Sequence, residues 1–144
     1  MGQQQLLLLV LGIVIVGLAV VVGLQAFGEN QKKANADALV NDALSIAADV
    51  QAWSLKPSVF GGGEGDYTGL SFERLGYTTG DQSGGDTAAD DGYESPNGVF
   101  TLTVGAADEV TVVGCSTGES NTVTAVVGQD GPDDIVTTAE NGTC

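Results

Sequence analysis

LLLLVLGIVIVGLAVVVGL, residues 6–24, runs without a break into QAFGENQKKANADALVNDALSIAADVQAWSL, residues 25–55. The first segment is 19 consecutive aliphatic, Ala or Gly residues, and as a helix rising about 1.5 Å per residue it spans roughly 28 Å, enough to cross a bilayer. A removable secretory signal, with Ala26-Phe27-Gly28 as a small-x-small cleavage site, is the alternative. The lack of Lys or Arg in residues 1–5 and the length of the apolar run favour a segment kept in the mature molecule.

The second segment keeps a helical period but becomes one-sided. Ala36, Leu39, Ala43, Ile46, Val50 and Trp53 recur at steps of three and four and form one seam, which Leu44 and Ala47 are expected to widen; Asn35, Asp37, Asn41, Asp42, Ser45 and Asp49 lie off it. Pro57 lacks an amide proton and biases Lys56 away from the α region, so the helix should end near residue 55. Residues 3–55 thus read as one helix, roughly 80 Å long.

Working outward, residues 61–98 hold 11 glycines, a composition that disfavours stable helix. The triple glycine at 61–63 reads as a flexible linker, Phe72, Leu75 and Tyr77 as anchors to a core, and residues 81–91 as an exposed loop. Strand signals follow. Phe100, Leu102 and Val104 alternate with threonines, residues 110–113 form a β-branched run, Val123, Ala125 and Val127 alternate again, and residues 135–138 suit a last strand. Asn97-Gly98, Gly105, Gly114-Cys115 and residues 128–131 punctuate these runs, which predicts an antiparallel meander of three or four strands. Its apolar face needs a cover, and the helical seam is available. The expected class is α+β: a long hydrophobic-then-amphipathic N-terminal helix on a small C-terminal antiparallel sheet. The expected regions are 1–28 (apolar helix), 29–56 (amphipathic helix), 57–98 (Gly-rich loops) and 99–144 (sheet).

Composition removes whole classes of function. The chain has no histidine, so imidazole catalysis is excluded, and two cysteines cannot supply the four ligands of a structural zinc site. A formal charge of -15 repels a phosphate backbone, so nucleic acid is not an expected partner. Nearly all of this charge lies beyond residue 56, where Arg74 is the sole basic residue. Such a surface stays hydrated in concentrated salt, where screening weakens its self-repulsion. The adjacent carboxylates Asp90-Asp91 and Asp133-Asp134 sit beside no nucleophile or base, and no glycine-rich phosphate motif precedes a Lys-Ser or Lys-Thr pair; neither an enzyme nor a cofactor is expected.

The layout resembles the type IV pilin family, archaeal members included: an apolar helix that turns amphipathic, a variable loop, then a small sheet with cysteine near its end. Gly2 followed by Gln3, Gln4 and Gln5 occupies the place where that family's prepilin peptidase cuts, after a small residue and before the apolar block. The position of the family's usual glutamate is Leu7 here. The resemblance implies a helical homopolymer of this chain, inserted in the cytoplasmic membrane before assembly, extracted by pilus assembly machinery and displayed outside the cell in adhesion or motility. Leu6, Leu9, Ile13, Val16, Val20 and Leu24 would lie in the filament core. It also implies a Cys115–Cys144 disulfide; two free buried cysteines are the other reading.

Sidedness is argued both ways by the residues. Lys32 and Lys33 after the span point inward, whereas a disulfide and the glycosylation sequon at Asn141 point outward, and the outside is the expectation. Gly12, Gly17 and Gly23 permit close helix approach or local unwinding, or else reflect the ordinary glycine content of membrane helices. Asp86, Asp90, Asp91 and Glu94 offer oxygen ligands for Ca²⁺, but their spacing matches no EF-hand, and a solvated acidic loop is the simpler reading. No acid precedes Glu29, so an N-terminal amine entering a filament core would rely on the amide oxygens of Gln3, Gln4 and Gln5; alternatively these residues only flank the membrane. Two functions are carried forward: a structural filament subunit, or a membrane-anchored binding module or minor pseudopilin.

Overall fold

The structure is a computed structural model that describes residues 2–78, 92–105, 109–118, 121–128 and 134–140. Two compact units divide the chain, Met1–Ala34 and Asn35–Cys144. Helix α1, Gly2–Leu55, supplies all the described structure of the first unit and packs in the second against a five-stranded antiparallel sheet. The α+β arrangement is as the sequence predicts. The helix ends where Pro57 requires it to.

The seam becomes the core. Leu39, Ala43, Ile46, Ala47, Val50 and Trp53 are buried, while Ala36 is half-buried. Leu44 does not widen the stripe: it is 40% exposed. At 100° per residue it stands about 140° from Leu39 around the helix, beyond the reach of the sheet.

The sheet has strand order β1 (Gly92–Glu94), β2 (Gly98–Val104), β3 (Val110–Ser116), β4 (Thr122–Val127) and β5 (Ile135–Glu140). That is five strands where three or four were expected, and it begins at Gly92 instead of residue 99. β1 escapes sequence pattern because three residues cannot display an alternation; it is held by pairing Tyr93 with Phe100. Gly114 and Cys115 also lie within β3 instead of ending it. Gly114 is paired with Phe100, and a Cβ there would come within 2.4 Å of the Phe100 ring. The glycine is therefore space for an aromatic neighbour, not a turn.

The period of two sorts the strands into faces. Phe100, Leu102, Val110, Val112, Val123, Ala125 and Val127 are buried against α1. Val104, expected in the same row, is 36% exposed at the strand end. The opposite face carries threonines and valines in half-buried positions, with Thr101, Val113 and Thr124 in one row.

Residues 57–78 are more ordered than their glycine content suggests. A four-residue helix α2, Phe72–Leu75, forms where none was expected, with Ser71 as N-cap and Gly76 as a left-handed C-cap. Phe72 is buried and Leu75 and Tyr77 pack on the core, as anticipated, but Tyr67 and Leu70 join them unforeseen. Trp53 Nε1 and Tyr67 Oη are buried with no hydrogen-bond partner among the described residues. Burial of a large ring outweighs one lost hydrogen bond of about 1–3 kcal/mol.

The triple glycine is not a flexible linker. Its amides close over the end of α1: Gly62 donates to Pro57 O at 3.2 Å and Gly63 to Trp53 O at 3.1 Å, while Gly65 donates to Ser54 O at 2.7 Å. The bonds to Trp53 and Ser54 satisfy carbonyls that the end of α1 leaves open, and the bond to Pro57 closes the turn beyond it. A Cβ at Gly63 would lie 1.8 Å from Asp66 O, and one at Gly62 would lie 2.2 Å from Lys56 O. Glycine is required here for close approach, which composition alone reads as looseness.

Candidate assembly surface

In the first unit, residues 6–24 of α1 are apolar all round. The 18-residue apolar window has mean hydropathy 3.2 and none of it is buried, so this part of the helix is long and apolar enough to cross a membrane. Leu6, Leu9, Ile13, Val16, Val20 and Leu24 are 56–69% exposed and fall on one side of the helix, but their neighbours are equally apolar and equally uncovered. The glycines at 12, 17 and 23 have nothing within 4 Å of a built Cβ. Gly2 is the first residue of α1, Gln3, Gln4 and Gln5 are helical and exposed, and the first turn holds no acid. Leaving such a surface in water is unfavourable by about 25 cal/mol for every Å², so it demands lipid or protein around it.

In the second unit, the amphipathic half of α1 is fixed in register by polar residues beside its seam. Asp42 accepts from Ser95 Oγ at 3.1 Å and from Asn97 Nδ2 at 2.9 Å, and Ser95 Oγ in turn receives the backbone N–H groups of Asn97 and Gly98, both at 3.2 Å. One turn pair away, Asn35 Oδ1 accepts from Ser116 Oγ at 2.7 Å. Asn35 and Asp42 are seven residues apart, so they share a side of the helix and grip the β1–β2 turn and the end of β3 together. Each neutral hydrogen bond contributes about 1 kcal/mol net and each bond to a carboxylate such as Asp42 about 1.5–3 kcal/mol, whereas the helix buries Leu39, Ile46, Val50 and Trp53 at about 1.5–3 kcal/mol or more for each. Burial holds the helix to the sheet; the polar contacts set where along the sheet it sits.

Further along the helix, Tyr77 donates its hydroxyl to Asp49. Burial, then the hydrogen bond and charge of Asp49, push the Tyr77 phenol well above its ordinary value of 10.0. A raised folded value means stability that is intact below pH 10 and lost as pH rises beyond it, because the unfolded chain ionises first. We expect the urea midpoint of wild type to fall between pH 9 and pH 11, and Tyr77→Phe to lessen that fall. An identical alkaline loss in the variant would exclude Tyr77 as its source.

Aromatic residues that are scattered along the sequence converge here. Tyr77 and Tyr93 have ring centroids 4.7 Å apart, Phe72 lies 5.9 Å from each, and Tyr93 lies 6.3 Å from Phe100. The cluster joins α2, β1 and β2 beneath one aromatic surface. It explains why a strand as short as β1 is retained.

The remaining sequence candidates divide by position. Glu94 is exposed on β1; Asp86, Asp90 and Asp91 lie outside the described residues, as does the rest of the loop 81–91. Among the described residues no group of three potential ligands converges on a metal position. Asn141 and Cys144 also lie outside the described residues, whereas Cys115 is half-buried on β3, and no described cysteine is free. No family model matches the chain, and neither a characterised protein nor a solved structure matches it.

Proposed function

We propose that the chain is the structural subunit of an extracellular filament of the type IV pilus kind, held in the cytoplasmic membrane by residues 6–27 before assembly and polymerised through the same residues afterwards. The observation that carries this reading is the contrast along one helix. From Leu39 onward α1 buries its seam against its own sheet, while residues 6–27 bury nothing and, Gln25 apart, are apolar on every side. An all-round apolar helix is satisfied equally by lipid and by copies of itself, so one sequence serves both states. A simple membrane tether needs the span alone and not the long amphipathic continuation.

A Cys115–Cys144 bridge belongs to the same proposal, since it requires the oxidising exterior. The strand register supports it. Cys115 pairs with Thr122 and Thr122 with Glu140, so β5 reaches the row of Cys115 two strands away. Two strand spacings are about 10 Å, and four further residues reach at most about 14 Å.

Sheared cell-surface material viewed by negative stain tests the reading. Thin fibres whose mass spectrum is dominated by this chain are the expected result. Fibres that lack it, with the chain recovered only as a membrane-bound monomer, would favour the binding-module alternative.

A further inference from the structure

The second unit exposes large apolar side chains at one place above all. Leu55 is 68% exposed, Val59 88% and Phe60 71%, at the end of α1 and in the 3-10 turn Ser58–Phe60 that follows it. The other exposed large apolar side chains described in this unit, Leu44, Val104 and Val136, are isolated and only 36–40% exposed, so this group is the worst solvated, and its conformation is not left to chance. Phe60 N donates to Pro57 O at 3.0 Å and Gly61 N to Ser58 O at 2.9 Å, and Glu64 N reaches back to Lys56 O at 3.1 Å. Glu64 holds a left-handed φ of 55°, unusual for a residue with a side chain, and its carboxylate accepts from Ser58 Oγ. Local strain is tolerated in order to hold this turn, and the turn presents Val59 and Phe60 to solvent in a fixed arrangement.

We propose that Val59 and Phe60 form an apolar knob that seats on residues 6–27 of a second copy of the chain. The inference rests on the filament reading above and adds to it the outer-domain residues that make the contact. A knob of Val and Phe needs an apolar complement. Among the described residues, the other exposed large apolar side chains are those of residues 6–27 and the isolated Leu44, Val104 and Val136. Only the first group is large enough to receive it. Knob and helix are different surfaces, so the contact is heterologous and repeats head to tail, generating an open array and not a closed dimer. The fixed turn lowers the ordering cost of docking, which is what a weak, many-times-repeated contact requires. A membrane surface is the competing occupant, but the strong negative charge beyond residue 56 disfavours approach to anionic lipid.

Phe60→Asp and the milder pair Val59→Ser with Phe60→Ser test this, because both side chains are exposed and neither change removes packing within the chain. The detergent-solubilised chain should keep its helix content and melting temperature, while filament yield falls about 10- to 100-fold, the loss expected from one unburied aromatic anchor, and Phe60→Leu restores it. Benzoylphenylalanine placed at position 60 should, on illumination of filaments, cross-link to the tryptic peptide ending at Lys32 of another copy. Unchanged filament yield from Phe60→Asp, or cross-links confined to lipid or to residues 35–144 of a neighbour, would overturn the knob and leave the filament reading standing. Wild-type cells without filaments of this chain would overturn both.

Discussion

Val16→Asp should abolish filaments. Val16 lies in the middle of the apolar segment and is 63% exposed, so the substitution removes no packing within its own chain. Any loss must therefore come from what surrounds the helix. A carboxylate at the centre of an apolar span costs about 2.5–3.5 kcal/mol on insertion scales, and burial between helices with no basic residue nearby adds to that. Residues 1–31 contain no Lys or Arg to pair with it. About 3 kcal/mol per subunit contact corresponds to more than 100-fold in association. The expected result is filament yield below detection, with Val16→Leu as the control that retains it. Abundant filaments of normal appearance from Val16→Asp would remove residues 6–27 from the core.

Loss of the proposed Cys115–Cys144 bridge should be the largest change within the second unit. A closed loop of about 30 residues contributes roughly 3–4 kcal/mol by the chain-entropy relation. For a unit of this size that is a fall in melting temperature of roughly 10–20 °C. Cys115→Ser, Cys144→Ser and the double variant should melt together, because each removes the same bond. Thiol titration of the denatured, unreduced wild type should find none. Two reactive thiols, or singles that differ from the double, would dispose of the bridge and of one argument for the cell exterior. β5 should suffer first: it is an edge strand whose Val136, Thr138, Ala139 and Glu140 are exposed, so little else secures it.

How far the fold can be read from residues depends on the range of the interaction concerned. The helix is local in origin. A 3.6 period, an unbroken apolar run and Pro57 determine its extent and its buried seam, and each acts within a few residues of itself. The strands β2, β3, β4 and β5 were legible for the same reason, since β-branched alternation is a property of neighbours in sequence. The candidate core surface, residues 6–24, was legible because hydropathy needs no partner to be recognised.

The errors share the opposite cause. Residues 61–63 read as a linker because glycine content reports permitted freedom, whereas the close approach of Asp66 O to Gly63 and of Lys56 O to Gly62 is a tertiary fact. Gly114 read as a turn for want of knowing that Phe100 lies across from it. β1 depends on Phe100 for pairing and on Phe72 and Tyr77 for cover, none of which a three-residue segment advertises.

By itself, the sequence determined a helix with two characters, an antiparallel sheet rich in β-branched residues, an acidic surface and the absence of imidazole chemistry, because composition and short-range periodicity are written along the chain. The tertiary structure alone decided which glycines are filled space instead of hinges, how Asn35 and Asp42 seat the helix on the sheet while Asp49 ties it to Tyr77, and that Val59 and Phe60 stand out in a rigid turn. Those features arise between residues distant in sequence, where packing and hydrogen-bond geometry outweigh the preferences any residue carries alone.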